Sequence, residues 1–126
     1  MADIIWINLS MATTIHNKQI AAHGGSYGVL NETMIESALA HPQNLYAYEQ
    51  ADLLRLAAAY GYSLAKNHGF VDGNKRTAFL VMFIFLKVNG LHLSSPEPEV
   101  VMMMQNLVAG IVSESELVEW LRSNCM

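Results

Sequence analysis

The sequence predicts an all-α domain: a bundle of about six helices with a buried central helix and little or no strand. Three observations carry this. Apolar residues recur at the i, i+3, i+4 spacing of a helix, most clearly in Leu53, Leu56, Ala57, Tyr60 and Leu64. Short polar residues, glycines and prolines stand where helices start and stop. The chain has 126 residues, 52% of them hydrophobic and 14% charged. That fills a single modest core and argues against disorder.

The elements follow in order. Ile4 to Leu9, "IIWINL", is rich in β-branched and aromatic residues and reads as a short strand. Ser10 then caps a helix through "MATTIHNKQIAAH", which Gly24 and Gly25 stop. "GGSYG" is a turn, and Asn31 caps a second helix, "ETMIESALAH", that ends before Pro42. "PQNLYAYEQA" is a loop. A long helix runs from about Asp52 to Asn67, and a polar turn interrupts the apolar pattern. The next helix starts at Asn74 or Lys75, runs to about Asn89 and meets Gly90 as its C-cap. It is apolar nearly all round, so it is expected to be the central one. "LHL" reads as a short extended piece. Ser95-Pro96 opens a helix that ends by Gly110. Ser113 and Glu116 form a capping box for the last one, "LVEWLRS".

Several function classes are disfavoured. A net charge of −4 gives no general basic field for nucleic acid. One cysteine, Cys125, cannot make a disulfide framework, which fits a reducing cytoplasm. "MADIIWINLS" has no basic leader region and does not read as a signal peptide. The longest uncharged apolar run, Ala78 to Leu86, is far short of the ~20 residues of a membrane span.

The turn "NHGFVDGNKRT", Asn67 to Thr77, carries the chemistry. A buried helix begins at its far edge, and the unpaired N–H groups of a helix N-terminus attract anions. Gly73 allows the backbone to approach a ligand closely. Lys75 and Arg76 stand in the first turn, where cations oppose the helix dipole, so two of them suggest an anion to hold. Asp72 is a hard oxygen ligand suited to Mg2+ beside a phosphate. His68 is of the residue type most often used as a general base and can take a proton from a hydroxyl. Phe70 reads as an apolar anchor for the loop, and Asn74 as a helix cap, a phosphate donor or both. Two readings stand on these residues alone: a polar turn between core helices, or a site for phosphoryl or nucleotidyl transfer.

"HGFVDGNKR" resembles the Fic/Doc motif, H-x-F-x-[DE]-[GA]-N-x-R, at His68, Phe70, Asp72, Gly73, Asn74 and Arg76. Six fixed positions within nine residues is a specific signal. The neighbouring text, from "IH" at Ile15-His16 through "GGSYGVL", "IESALAHP" and "ADLLRLAAAY", is also similar to the family. The resemblance runs from about Ile15 to Leu93 and implies a single Fic/Doc domain over residues 1–126 with that family's helical bundle.

Two departures separate the chain from adenylylating Fic proteins, which read G-N-G-R-x-x-R. Lys75 replaces the second glycine, and Phe79 replaces the last arginine. The resemblance is therefore to the Doc, or death-on-curing, toxin branch. It implies transfer of the γ-phosphate of ATP to a protein hydroxyl, with elongation factor Tu as the family's expected target and translation arrest as the result. By the same resemblance His68 is the general base, Asp72 holds Mg2+, and Gly73, Asn74, Lys75 and Arg76 bind phosphates. Phe79 is expected to pack in the core. No inhibitory [ST]-x-x-x-E-[GN] motif is found, since Ser113 to Glu116 is one residue too short. The family then implies inhibition by a separate antitoxin, a helical segment of which lies in a groove. An adenylyltransferase that tolerates Lys75, and a non-enzymatic partner-binding module, are the rival readings.

Other residues have blander readings. His16 and His23 share a helix face, but no third metal ligand follows at a useful spacing. His41 reads as a helix-end residue and His92 as an exposed extended position. Met102 to Met104 read as core filling ahead of a partner surface. Tyr46 and Tyr48 stand in the loop where Fic-like proteins carry a flap that positions the target. Arg55 and Lys66 read as solvated.

Overall fold

A computed structural model describes residues 3–126; Met1 and Ala2, at the start of the segment read as lacking a signal, lie outside the described residues. Six helices make up the described chain: α1 (Leu9–His23), α2 (Glu32–Glu49), α3 (Leu53–Asn67), α4 (Asn74–Val88), α5 (Glu97–Val108) and α6 (Glu114–Asn124). Pairing between extended residues is limited, among the described residues, to two isolated antiparallel bridges, Val29 with Phe70 and Leu93 with Cys125. No helix among them is long and apolar enough to cross a membrane.

The core forms around the pair α3 and α4, with α1, α2, α5 and α6 packed about them. α3 is the most deeply buried helix because its inner residues are small. Ala57, Ala58, Ala59 and Ala65 are fully covered. A side chain at Gly61 would overlap the thioether of Met82 on α4, so the two backbones approach closely there. α4 buries Ala78, Val81, Met82, Phe85 and Leu86, while Phe79, Leu80 and Phe83 stay half-exposed. The apolar surface left over on α4 becomes the wall of a cleft. Of the three consecutive methionines Met104 is buried in the core, Met103 packs against it partly buried, and Met102 is 63% exposed.

The predicted caps are largely realised. Asn31 accepts the N3 amide of α2, and Ser113 and Glu116 bond reciprocally as a capping box; Asp52, read as the approximate first residue of α3, is instead its cap and accepts the Arg55 amide. Three expectations are corrected. First, Ile4 to Leu9 is not a strand: residues 3–8 are extended but have no ladder partner, and α1 starts at Leu9 with Asn8 as cap in place of Ser10. Side chains satisfy this backbone instead. The Ile7 amide donates to the Tyr60 hydroxyl at 2.9 Å and the Ile5 amide to Asn89 Oδ1 at 2.9 Å. Second, α2 does not end before Pro42 but runs through it to Glu49. A proline there forfeits one i→i−4 bond. Continuation buries Pro42 itself, packs Leu45 on the core and sets Tyr46 edge-on against Trp6. Tyr46 and Tyr48 are therefore helical and not in a loop. Third, His41 is not a helix end; it lies within α2 and bonds Glu114 of α6 at 3.1 Å.

Tyr60 gives the fold a pH signature. It is fully buried, and burial pushes its phenol up to about 12, the Ile7 amide that donates to the phenolic oxygen opposing with a smaller effect. The unfolded chain loses this proton near pH 10, the folded chain only near 12. The associated stability is complete below about pH 10 and is lost as pH rises to about 12, roughly 2–3 kcal/mol in all. Urea titrations across that range should show this loss in the parent and a flatter profile in Tyr60→Phe.

Candidate functional site

The turn between α3 and α4 is held from below, above and within. His68 ends α3 in the left-handed region, φ 49° and ψ 48°, which turns the chain out of the helix. The next residues pair with the segment after α1. The Gly69 carbonyl accepts the amides of Leu30 and Asn31 at 2.9 and 3.0 Å, and the Val71 amide donates to the Gly28 carbonyl at 3.1 Å. Any side chain at Gly69 would overlap Ile35. Phe70 is buried beneath the loop, its ring parallel to His16 at 4.0 Å. Asn74 clamps the same residue, accepting from the Phe70 amide at 3.0 Å and donating to its carbonyl at 2.9 Å.

Asp72 is fixed by backbone. Its Oδ1 accepts the Gly73 amide at 2.8 Å and its Oδ2 the Ser26 amide at 3.1 Å. Gly73 takes φ 72° as the N-cap of α4, and a side chain there would overlap the Gln19 amide. Only glycine meets both conditions without strain. No side chain caps α4, and the amides of Asn74, Lys75 and Arg76 make no hydrogen bond among the described residues. They are the orphan donors of a helix start.

A cleft of about 750 Å³ opens over this helix start. His68, Asp72, Gly73, Asn74, Lys75 and Arg76 all line it, while Phe70 lies under the loop. The sequence-predicted site residues are therefore in one place. Their roles divide, however. The Asn74 side chain braces the loop with both its amide oxygen and nitrogen, so its free contribution to the cleft is its backbone N–H. Lys75 and Arg76 are exposed and make no ion pair among the described residues. His68 is exposed, with no hydrogen bond from its ring among them. The far wall is apolar, from Phe79 and Phe83 of α4 and Val100 and Met104 of α5. Phe79 thus packs against the core, as expected, but is only partly buried and also lines the cleft. His92 also lines it, edge-on to Phe83 at 5.8 Å.

The match to known proteins decides the family. The Fic/DOC family model covers residues 6–86, which include α1 to α3, most of α4 and every residue of the turn. The chain belongs to the Fic/DOC family. As a Fic/DOC protein it is similar to "Protein kinase doc" of Escherichia phage P1, 31% identical over 109 residues, 86% of each chain. It is similar also to "Toxin Doc" of Mycolicibacterium smegmatis, 41% identical over 76 residues, 59% of this chain and 58% of that one.

Sequence reasoning missed the residues that hold this Fic/DOC site together. His16, Gln19 and Ser26 all touch Asp72 or Gly73 across 46 to 56 residues of chain. Each contact involves a backbone group, so no side-chain motif announces it. Segment 24–31, not the one holding Tyr46 and Tyr48, lies against the turn.

Proposed function

We propose that the protein is the toxin of a toxin–antitoxin pair and a protein kinase of the Doc type. It transfers the γ-phosphate of ATP to a hydroxyl of a host protein, elongation factor Tu being the target the family implies, and so arrests translation in the cytoplasm. One observation carries the reading. Two cations that make no ion pair among the described residues, Lys75 and Arg76, and the start of α4, which no side chain among them caps, share a cleft with an exposed imidazole. A chain shaped by stability alone would place acidic residues in that first turn. The names of the two relatives support the same reading, one a kinase and one a toxin.

The chemistry follows from the residues. A nucleotide's phosphates are held by the amides of Asn74, Lys75 and Arg76 and neutralised by the two side-chain cations. Lys75 stands where the adenylylating motif reads glycine, and the resemblance implies that a side chain there obstructs the adenylylating pose and favours the γ-phosphate as the group presented. His68 takes the proton of the attacking hydroxyl, and its free ring is available to a target entering from solvent. Asp72 fits a single-carboxylate share of an Mg2+ that arrives with ATP: each oxygen accepts one amide and keeps another lone pair. Among the described residues no group of three His, Cys, Asp or Glu side chains could hold a metal by themselves, so the remaining ligands would be phosphates and water. Mg2+ supplies charge neutralisation on the transferred group when bound. The apolar wall of the cleft suits a helical segment of the antitoxin.

The test uses ATP labelled at either the α or the γ position, incubated with the protein and a bacterial lysate. Label on a protein band from the γ position alone is expected. Transfer from the α position alone overturns the kinase reading in favour of adenylylation.

A further inference from the structure

His16 is a buried histidine that the proposed chemistry does not use. It is 1% exposed, sits in the middle of α1 and does not line the cleft. Its Nε2 lies 2.7 Å from the backbone carbonyl of Asp72, 56 residues away in the chain. The carbonyl can only accept, so Nε2 carries the proton and donates. The same ring stacks on Phe70 at 4.0 Å with 8° between the planes. One turn further along α1, Gln19 Nε2 donates to the Gly73 carbonyl at 3.5 Å.

These contacts fix the peptide between Asp72 and Gly73 at both ends. His16 holds its carbonyl, and Asp72 Oδ1 holds its N–H at 2.8 Å. That peptide leads directly into the free amides of α4. Were it to rotate, the Asp72 carbonyl would turn its negative end toward the anion site, and the carboxylate would lose the Gly73 amide. We infer that His16 is a positioning residue: its Nε2–H draws the Asp72 carbonyl under α1, so that the Asp72 carboxylate and the α4 amides face the phosphates together. The ring supplies two things at once, a flat face for Phe70 and a donor for the carbonyl. Substitution can separate them.

This inference rests on the proposed nucleotide site, and the test keeps the two apart. His16→Phe retains a flat ring and removes the donor. His16→Gln keeps a donor at nearly the same reach and removes the ring. Two readouts are taken on the full chain: the rate of label transfer from ATP, from whichever phosphate it comes, and hydrogen exchange of the amides of residues 69–77. For His16→Phe the inference expects transfer slowed on the order of 10–100-fold, mainly in kcat. It also expects faster exchange at Phe70, Val71 and Gly73, with the amides of α3 and α6 as protected as in the parent. His16→Gln should recover most of the rate and the protection. The inference is overturned if His16→Phe keeps the parent's loop protection, if protection falls throughout the molecule alike, or if His16→Gln is as impaired as His16→Phe. Should the parent transfer no label at all, the kinase proposal fails, and the exchange comparison still decides the role of His16.

Discussion

His68→Ala is expected to lower phosphate transfer by about 10²–10⁴-fold, the usual contribution of a positioned general base. Stability should change little. His68 is exposed and its ring has no hydrogen-bond partner among the described residues, so the change falls in the range of roughly ±0.5 kcal/mol typical of surface positions. Histidine and alanine both carry a Cβ, so the left-handed backbone at φ 49° strains the two to a similar extent. Transfer rates and urea midpoints measured on the same preparations check both halves. In cells the variant should be made in full and fail to arrest growth. A folded His68→Ala protein that transfers phosphate at the parent's rate would remove the histidine from the mechanism, and one that arrests growth as the parent does, with no transfer from either protein, would favour the partner-binding module.

Phe70→Ala is expected to do the reverse, acting first on stability. Phe70 is 2% exposed, stacks on His16 and has its backbone clamped by Asn74. Truncating a buried phenylalanine costs about 3–5 kcal/mol. Single domains have only about 5–15 kcal/mol to lose. The cavity would lie directly beneath the turn, so transfer should fall even in the fraction that stays folded. Phe70→Leu, which keeps most of the volume, should cost much less. Denaturant unfolding of the three proteins orders them: parent, leucine, alanine. An alanine variant within about 0.5 kcal/mol of the parent would contradict the anchor role.

The parts of this molecule that were legible in its sequence are those governed by local rules. Asn31 and the Ser113–Glu116 box cap helices through contacts three residues away, and their spelling is enough. The turn from His68 to Arg76 is likewise contiguous, so its residues could be picked out as a group. What failed were readings that competed with tertiary contact. Pro42 spells a helix end, yet burial of Pro42 and Leu45 outweighs one lost hydrogen bond. "IIWINL" has strand propensity, yet its amides find Tyr60 and Asn89. His16 was visible as part of a family-like "IH" and as a helix-face neighbour of His23, and its partner is a backbone carbonyl that leaves no mark in the sequence. Phe79 is apolar in sequence whichever way α4 turns, and only packing decided that it faces the cleft.

The central claim is that this site moves a phosphate and not an adenylyl group. Its most direct test is the intact mass of purified elongation factor Tu after incubation with the protein, ATP and Mg2+. A gain of one phosphate, absent with His68→Ala, is expected. A gain of one AMP, or no change of mass in a target-competent preparation, would contradict it.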